Sequence, residues 1–324
     1  MCTSVSWNSK DHYFGRNLDL EYCYNETVTI TPRNYPFIFR KMGNMGSHYA
    51  MIGIATVMDD YPLYYDATNE MGLSIAGLNF PGNAVYHPPC SNKDNVTPFE
   101  FIPWVLGQCA NVDEAKLFLD KINLVNIPYS PELPLSPLHW HIADAEKSIV
   151  VEPMETGVKV FDNPVGVLTN NPPFDFHLQN LGQYLNVTPH PVFSRFATNY
   201  PLTPWSRGMG GLGLPGDFSS ASRFVKASFV KLNSLFADSE EESVSQFFHI
   251  LSSVAMPRGS VMIDDSKPDI TRYSSCCNTD KGIFYYQTYD NSRIYGVNLH
   301  RENLNGSIPV SYPLITHEPI MIQN

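Results

Sequence analysis

The strongest constraint on the fold is a rhythm of short apolar, β-branched runs, each closed by glycine, proline, asparagine or aspartate. It opens at residues 3–7 and returns at Val28-Thr29-Ile30-Thr31 before Pro32, at Phe37–Arg40, across His48–Met58, and at Leu63–Asp66 and Leu73–Leu78. Runs of this length with turn residues at their ends predict strands rather than helices. Tyr13–Arg16 reads as continuing from the first strand toward a turn, and Asn69-Glu70-Met71-Gly72 supplies a tight turn between two later strands. The rhythm comes back at His139–Ala143, Ser148–Val151, Val158–Phe161 and Val165–Leu168. It comes back a third time at Ile270–Ser274, Gly282–Tyr289 and Arg293–Leu299.

Helical patterns fill the gaps. Phe101–Cys109 is a short apolar helix. Asn111 caps the next one, with Glu114 at its third position and Ala115, Leu117, Phe118, Leu119 and Ile122 on its apolar face. Residues 174–184, a segment from Ser219 or Ser220 to about Leu235, and Glu240–Val254 complete the set. Residues 127–137 and 186–215 read as loops. The glycine cluster at 208–213 is no nucleotide loop, because no Lys-Ser/Thr ends it. Two hairpin-built sheets, each with a face to cover, need helices outside them. The expected fold class is therefore α+β, a four-layer αββα sandwich. No linker interrupts the chain, so residues 1–324 are expected to form a single domain.

Composition narrows the function. The 324 residues are 43% hydrophobic and 16% charged, enough to bury a sizeable core. With 21 Lys plus Arg against 32 Asp plus Glu, the net charge is −11, which argues against nucleic acid as a partner. No run reaches the roughly 18 apolar residues of a membrane span. No basic-then-apolar leader opens the chain, so a cytoplasmic location is expected.

Cys2 is the first candidate for chemistry. Its predecessor is Met1, and removal of an initiator methionine is expected before a small residue. One residue would then carry a thiol with an unperturbed pKa near ~8.5 and an α-amine near ~7.7–8.0, a nucleophile with its own base. Polar residues at strand and helix ends could serve it. Arg16 and Asp19 follow closely in Gly15-Arg16-Asn17-Leu18-Asp19. Asn79 ends Ala76-Gly77-Leu78-Asn79, Asn170 follows Leu168-Thr169, and Arg223 begins a helix. Arg16 would favour the thiolate, Asp19 would hold the amine, and the amides of Asn79 and Asn170 would stabilise an oxyanion without titrating. Each also has a local explanation: a turn cap for Asp19, an Asx-turn for Asn170, an ion pair with Asp217 for Arg223. His139 and His141 share a strand face but lack a carboxylate partner in the local sequence. No metal or other cofactor is expected.

These residues sit in stretches that resemble the choloylglycine hydrolase family, which contains conjugated bile acid hydrolases and penicillin V acylases. The resemblance runs end to end: Met1-Cys2-Thr3, DHYFGRNLDLE at 11–21, NEMGLSIAGLNFPG at 69–82, FEFIPWVLGQC at 99–109, DNPVGVLTNNPPFDFHL at 162–178, SRGMGGLGLPGDFSSASRF at 206–224 and KGIFYYQTYDN at 281–291. It implies an N-terminal nucleophile hydrolase of αββα architecture, a cytoplasmic homotetramer, and Cys2 exposed by simple loss of Met1. It carries the family's catalytic positions onto Cys2, Arg16, Asp19, Asn79, Asn170 and Arg223. Penicillin acylase-like members usually have tyrosine where this chain has Asn79, so the implied substrate is a bile acid joined to glycine or taurine. Leu20, Tyr24, Phe80 and Leu138 are candidates to line its apolar groove, or equally to belong to the core. Another N-acyl amide hydrolase such as a penicillin V acylase, and a non-enzymatic bile-acid or lipid-binding module, are the alternatives.

Overall fold

A computed structural model describes residues 1–324. The first strands are β1 (Cys2–Asn8), β2 (His12–Leu20), β3 (Thr27–Thr31), β4 (Met51–Met58), β5 (Tyr61–Asn69) and β6 (Ser74–Asn79). Helices α1 (Phe101–Leu106) and α2 (Val112–Leu119) follow, and then strands β7 (Leu138–Ala143), β8 (Ser148–Met154), β9 (Gly157–Asp162) and β10 (Val167–Leu168). After α3 (Phe174–Asn180), α4 (Ser220–Leu232) and α5 (Glu240–Ser252), the chain closes with β11 (Ile270–Asn278), β12 (Ile283–Thr288), β13 (Asn291–Asn298) and β14 (Val310–Pro313).

The expected caps are in place. Asn111 Oδ1 accepts the Glu114 N–H at 2.9 Å, and Ser219 rather than Ser220 caps α4. Arg223 does not pair with Asp217, which instead accepts from the Ser222 hydroxyl at 2.6 Å. The expectation that Tyr13–Arg16 runs into a turn was wrong. β2 continues to Leu20 between two neighbours, β1 and β11, and all but its last residue are buried. Its polar letters disguise a central strand because both of its faces are covered, so no polar alternation is imposed on it. β14 and the short pairs at 43–45, 94–96 and 262–264 also escaped the sequence pattern, being too short to show a period.

The main strands form two antiparallel sheets. One has six strands in the order β10-β1-β2-β11-β12-β13, the other eight in the order β9-β8-β7-β6-β5-β4-β3-β14. Period-two alternation sorts the eight-stranded sheet. Ile52, Ile54, Ala76 and Leu78 face the six-stranded sheet, while Met51, Ala55, Ile75 and Trp140 pack beneath α1 and α2 with Phe101 and Trp104. On the far side, α4 and α5 lie on β1, β2 and β11. The layers are thus helix, sheet, sheet, helix, as the strand and helix order implied. The strands approach closely where glycine permits. A Cβ on Gly15 would lie 1.9 Å from Ser275 O, and one on Gly53 2.0 Å from Asp66 O.

Candidate active site

β1 places Cys2 at the end of an inner strand, with only 3% of its surface exposed. Register fixes what surrounds it. β10 pairs with β1 through Ser4 to Leu168 and Val5 to Val167, so the chain leaving β10 carries Asn170 alongside Cys2. There the Cys2 N–H donates to Asn170 Oδ1 at 2.9 Å. Arg16 lies opposite Ser4 on β2, and paired residues share a face, so Ser4 and Arg16 both point between the sheets. Ser4 Oγ meets His141 Nδ1 at 2.8 Å there, and Arg16 Nη1 donates to Tyr65 O at 3.0 Å and Gly77 O at 2.6 Å. Cys2, two residues before Ser4, belongs to that face.

The other face of the sheet holds the second half of the set. Arg223, in the first turn of α4, is almost wholly buried. Its Nη1 donates to Cys2 O at 2.5 Å and Thr3 Oγ1 at 2.6 Å, and its Nη2 to Asn170 Oδ1 at 2.7 Å. Asp19 Oδ2 is 4.0 Å from Arg223 Nη1, while Oδ1 accepts from Thr271 Oγ1 at 2.6 Å. The end of β1 therefore has the Arg16 charge on one side, Arg223 and Asp19 on the other, and Asn170 along the strand.

The charges are tuned by burial. Burial pushes the Asp19 carboxyl above the ordinary range, against the pull of Arg223, the amino terminus and Thr271. Burial likewise lowers the Arg223 guanidinium, opposed by Asp19, Cys2 and Asp269. Arg16 goes the other way. Burial works against its charge, but Cys2, Tyr273, Asp66 and Asp19 together outweigh that and raise it. Arg16 is a permanent cation beside the thiol.

Asn170 and Asn79 stand differently from a plain pair of oxyanion donors. Asn170 Nδ2 already donates to Asn79 O at 2.7 Å, and Asn170 Oδ1 accepts from both Cys2 and Arg223. Asn170 is a hub that ties β1, β6 and α4 together. The Asn79 residue is exposed, at the end of β6. Of the groove candidates, Tyr24 is 43% exposed, and Leu20 and Leu138 are half-buried. Phe80 is fully buried with its ring on His139, so it lies in the core rather than on a surface wall.

Sequence reasoning missed several residues around this centre. Asp269 Oδ2 lies 2.9 Å from the Met1 amine, which also donates to Asp19 O at 2.8 Å. Asp66 on β5 accepts from Tyr273 Oη at 2.7 Å and Ser275 Oγ at 2.9 Å across the sheets. Ser220 Oγ accepts the Asn170 N–H at 2.8 Å. Asp66 left a trace, a charge closing the apolar run Leu63–Asp66. The others left none, because they meet the site only across long sequence distances.

This arrangement offers a strand-terminal thiol, a flanking cation and a polar hub on the adjoining nitrogen. The model of the linear amide C–N hydrolases, choloylglycine hydrolase family, matches residues 2–312. The chain belongs to the choloylglycine hydrolase family. Among members of that family, it is 55% identical to a bile salt hydrolase/transferase of Lactiplantibacillus plantarum over 97% of each chain. It is 41% identical to a bile salt hydrolase/transferase of Clostridium perfringens over 95% of each. The structure of the C2A mutant of conjugated bile acid hydrolase from Clostridium perfringens superposes with a TM-score of 0.92 at 39% identity, covering all of both chains. Penicillin V acylase from Agrobacterium tumefaciens shares the fold, with a TM-score of 0.73 at 18% identity over 94% of this chain and 88% of that one. The αββα architecture is thus that of the choloylglycine hydrolases, linear amide C–N hydrolases by family.

Proposed function

We propose that this chain hydrolyses the amide bond joining a bile acid to glycine or taurine, with Cys2 as nucleophile after loss of Met1. The observation that carries the reading is the Cys2 nitrogen held at 2.9 Å by Asn170 Oδ1, in a chain of an amide-hydrolase family. Once Met1 is gone that nitrogen is an amine. With one hydrogen on Asn170, its lone pair is free to take the thiol proton, directly or through a water. Arg16 stabilises the thiolate that attacks the carbonyl carbon. Asn79 Nδ2 and the second N–H of Asn170 receive the oxyanion. The ammonium then protonates the departing amino acid nitrogen, leaving a thioester on Cys2. A water, deprotonated by the same amine, attacks the thioester; the bile acid leaves and the thiol is restored. Asp19 and Arg223 hold the strand end and balance each other's charge.

The substrate class is supported by relatives that carry the name bile salt hydrolase/transferase at 55% and 41% identity, and by asparagine at position 79. The reading includes a cytoplasmic homotetramer. Exposed Phe193, Phe196 and Trp205 on the 186–215 loop support association, which light scattering would measure. No helix is long and apolar enough to cross a membrane. The test is a panel of glycocholate, taurocholate and penicillin V, read by product release. Glycine or taurine should appear, and Cys2→Ser should slow release roughly a thousandfold or more. Undiminished turnover by Cys2→Ser, preferential turnover of penicillin V, or tight binding without release would each overturn it.

A further inference from the structure

Behind Asn170 lie three buried polar residues that the steps above do not use. His139 on β7 has Nε2 2.9 Å from Thr169 O and Nδ1 3.2 Å from Oε1 of Glu152 on β8. His177 on α3 has Nε2 2.9 Å from Asn170 O. All three are fully buried. A carbonyl only accepts, so each imidazole carries its Nε2 hydrogen. Two consecutive carbonyls, those of Thr169 and Asn170, are therefore each tied to a histidine.

Glu152 meets one ring directly and the helix of the other at its first residue. The same Oε1 that meets His139 accepts the N–H of Phe174 at 3.0 Å, the first residue of the helix that carries His177. His139 Nδ1 and the Phe174 N–H thus share one carboxylate oxygen. The rings are also stacked. His139 lies 4.3 Å from Phe80 at 7°, and His177 4.7 Å from Phe224 at 26°. Phe80 follows Asn79 and Phe224 follows Arg223 in sequence. The group thus touches Asn170 directly and reaches Asn79 and Arg223 through their immediate neighbours. Apolar side chains would fill this space without the desolvation cost that His and Glu carry. The hydrogen bonds these three residues make add a fixed geometry instead, with Glu152 Oε2 and His177 Nδ1 left unpartnered.

We propose that His139, Glu152 and His177 are positioning residues for the reaction. They hold the Thr169–Asn170 main chain so that Asn170 Oδ1 stays on the Cys2 nitrogen and Asn170 Nδ2 on the Asn79 carbonyl. The proposal rests on amide hydrolysis at Cys2. Substitutions at two positions separate it from simple packing. His177→Phe keeps a ring for Phe224 and loses the donor to Asn170 O, while His177→Gln restores a donor. Glu152→Gln keeps the volume but puts either an amide oxygen or an amide nitrogen at Oε1. A nitrogen there loses the Phe174 N–H, and an oxygen keeps it, but in either case the charged oxygen that Phe174 and His139 share is gone.

The measurements are kcat and KM for amino acid release, the thermal midpoint, and the pH dependence of Cys2 alkylation by iodoacetamide. His177→Phe and Glu152→Gln should lower kcat roughly 10- to 100-fold with KM little changed, the effect of misplacing a catalytic group by up to about an ångström. They should also shift the alkylation midpoint, and His177→Gln should recover most of kcat. Folded variants with unchanged kcat and unchanged alkylation midpoint would overturn the proposal. So would a loss of activity that only follows the folded fraction. If His177→Phe does not fold, Glu152→Gln decides by the same readouts. Wild-type protein that releases no amino acid would sink the hydrolase reading alone, because the alkylation midpoints still report on the cradle.

Discussion

Replacing Asn170 separates its two jobs, because the side chain accepts on one atom and donates on the other. Asn170→Ala removes the acceptor for the Cys2 N–H and Arg223 Nη2 and the donor to Asn79 O. Three groups lose a partner, two of them buried donors. At about 1–3 kcal/mol for each buried group left unpaired, the two donors alone cost roughly 2–6 kcal/mol of stability. Asn170→Asp has the same shape and keeps both acceptor contacts. It sets a second oxygen against Asn79 O at 2.7 Å, and it adds a negative charge beside the Cys2 nitrogen. Its stability should stay nearer that of the native chain because Arg223 gains an anionic partner. Its chemistry should suffer more selectively. Loss of an oxyanion donor is worth about 10²–10³ in kcat. The new charge favours the ammonium, so the acidic limb of the kcat profile should rise by about 1–3 pH units, as for any opposite charge at this range. Amino acid release followed from about pH 5 to 11, with urea midpoints measured in parallel, tests both. Asn170→Asp with a native kcat and an unmoved acidic limb would refute the assignment of Asn170 as the group on the amine. Asn170→Ala with a native urea midpoint would refute the hub.

Protein made with methionine aminopeptidase inhibited should keep Met1 by intact mass and release no glycine or taurine. Its amine is then on Met1, 2.9 Å from Asp269, and the Cys2 nitrogen is an amide. Activity from chains that retain Met1 would contradict this. Acid should destabilise the fold through three histidines that burial keeps neutral: His12 and His177, both pushed down to about 4, and His141, to about 3. Below the ordinary pKa of 6.5 the unfolded chain binds protons that the native chain refuses. The stability they contribute is therefore present above pH 6.5 and lost as pH falls toward 4, by up to about 3 kcal/mol per group. Urea midpoints across that window should fall, and His141→Gln, still able to bridge Ser4 and Ser148, should flatten the slope. A midpoint independent of pH there would contradict the burial argument. Asp66→Ala leaves the hydroxyls of Tyr273 and Ser275 unpaired and removes a countercharge of Arg16, so roughly 2–6 kcal/mol of stability should be lost. A thermal midpoint equal to that of the native chain would show that the intersheet polar cluster is dispensable.

Local sequence was enough for most elements, because the period of side-chain burial is a property of the strand or helix itself. The runs at 48–58 and 73–78 became strands, and Asn111 and Ser219 became caps, since each signal acts within a few residues. The αββα layering followed from their order, since each sheet must cover its apolar faces. Cys2 was legible for the same local reason: its place next to Met1 is written in the chain. Local sequence did not decide the company Cys2 keeps. Asn170 reaches it through the β10–β1 register, Arg223 through the docking of α4, and Arg16 acts from the face that meets the other sheet. Asp66, Asp269 and the His139–Glu152–His177 group were invisible for that reason. Hydrogen bonds and charge contacts at these sites span from 7 residues of sequence, for His177 and Asn170, to 268, for Met1 and Asp269. Which polar groups meet is set by strand register and sheet packing, and a single sequence carries no local mark of either.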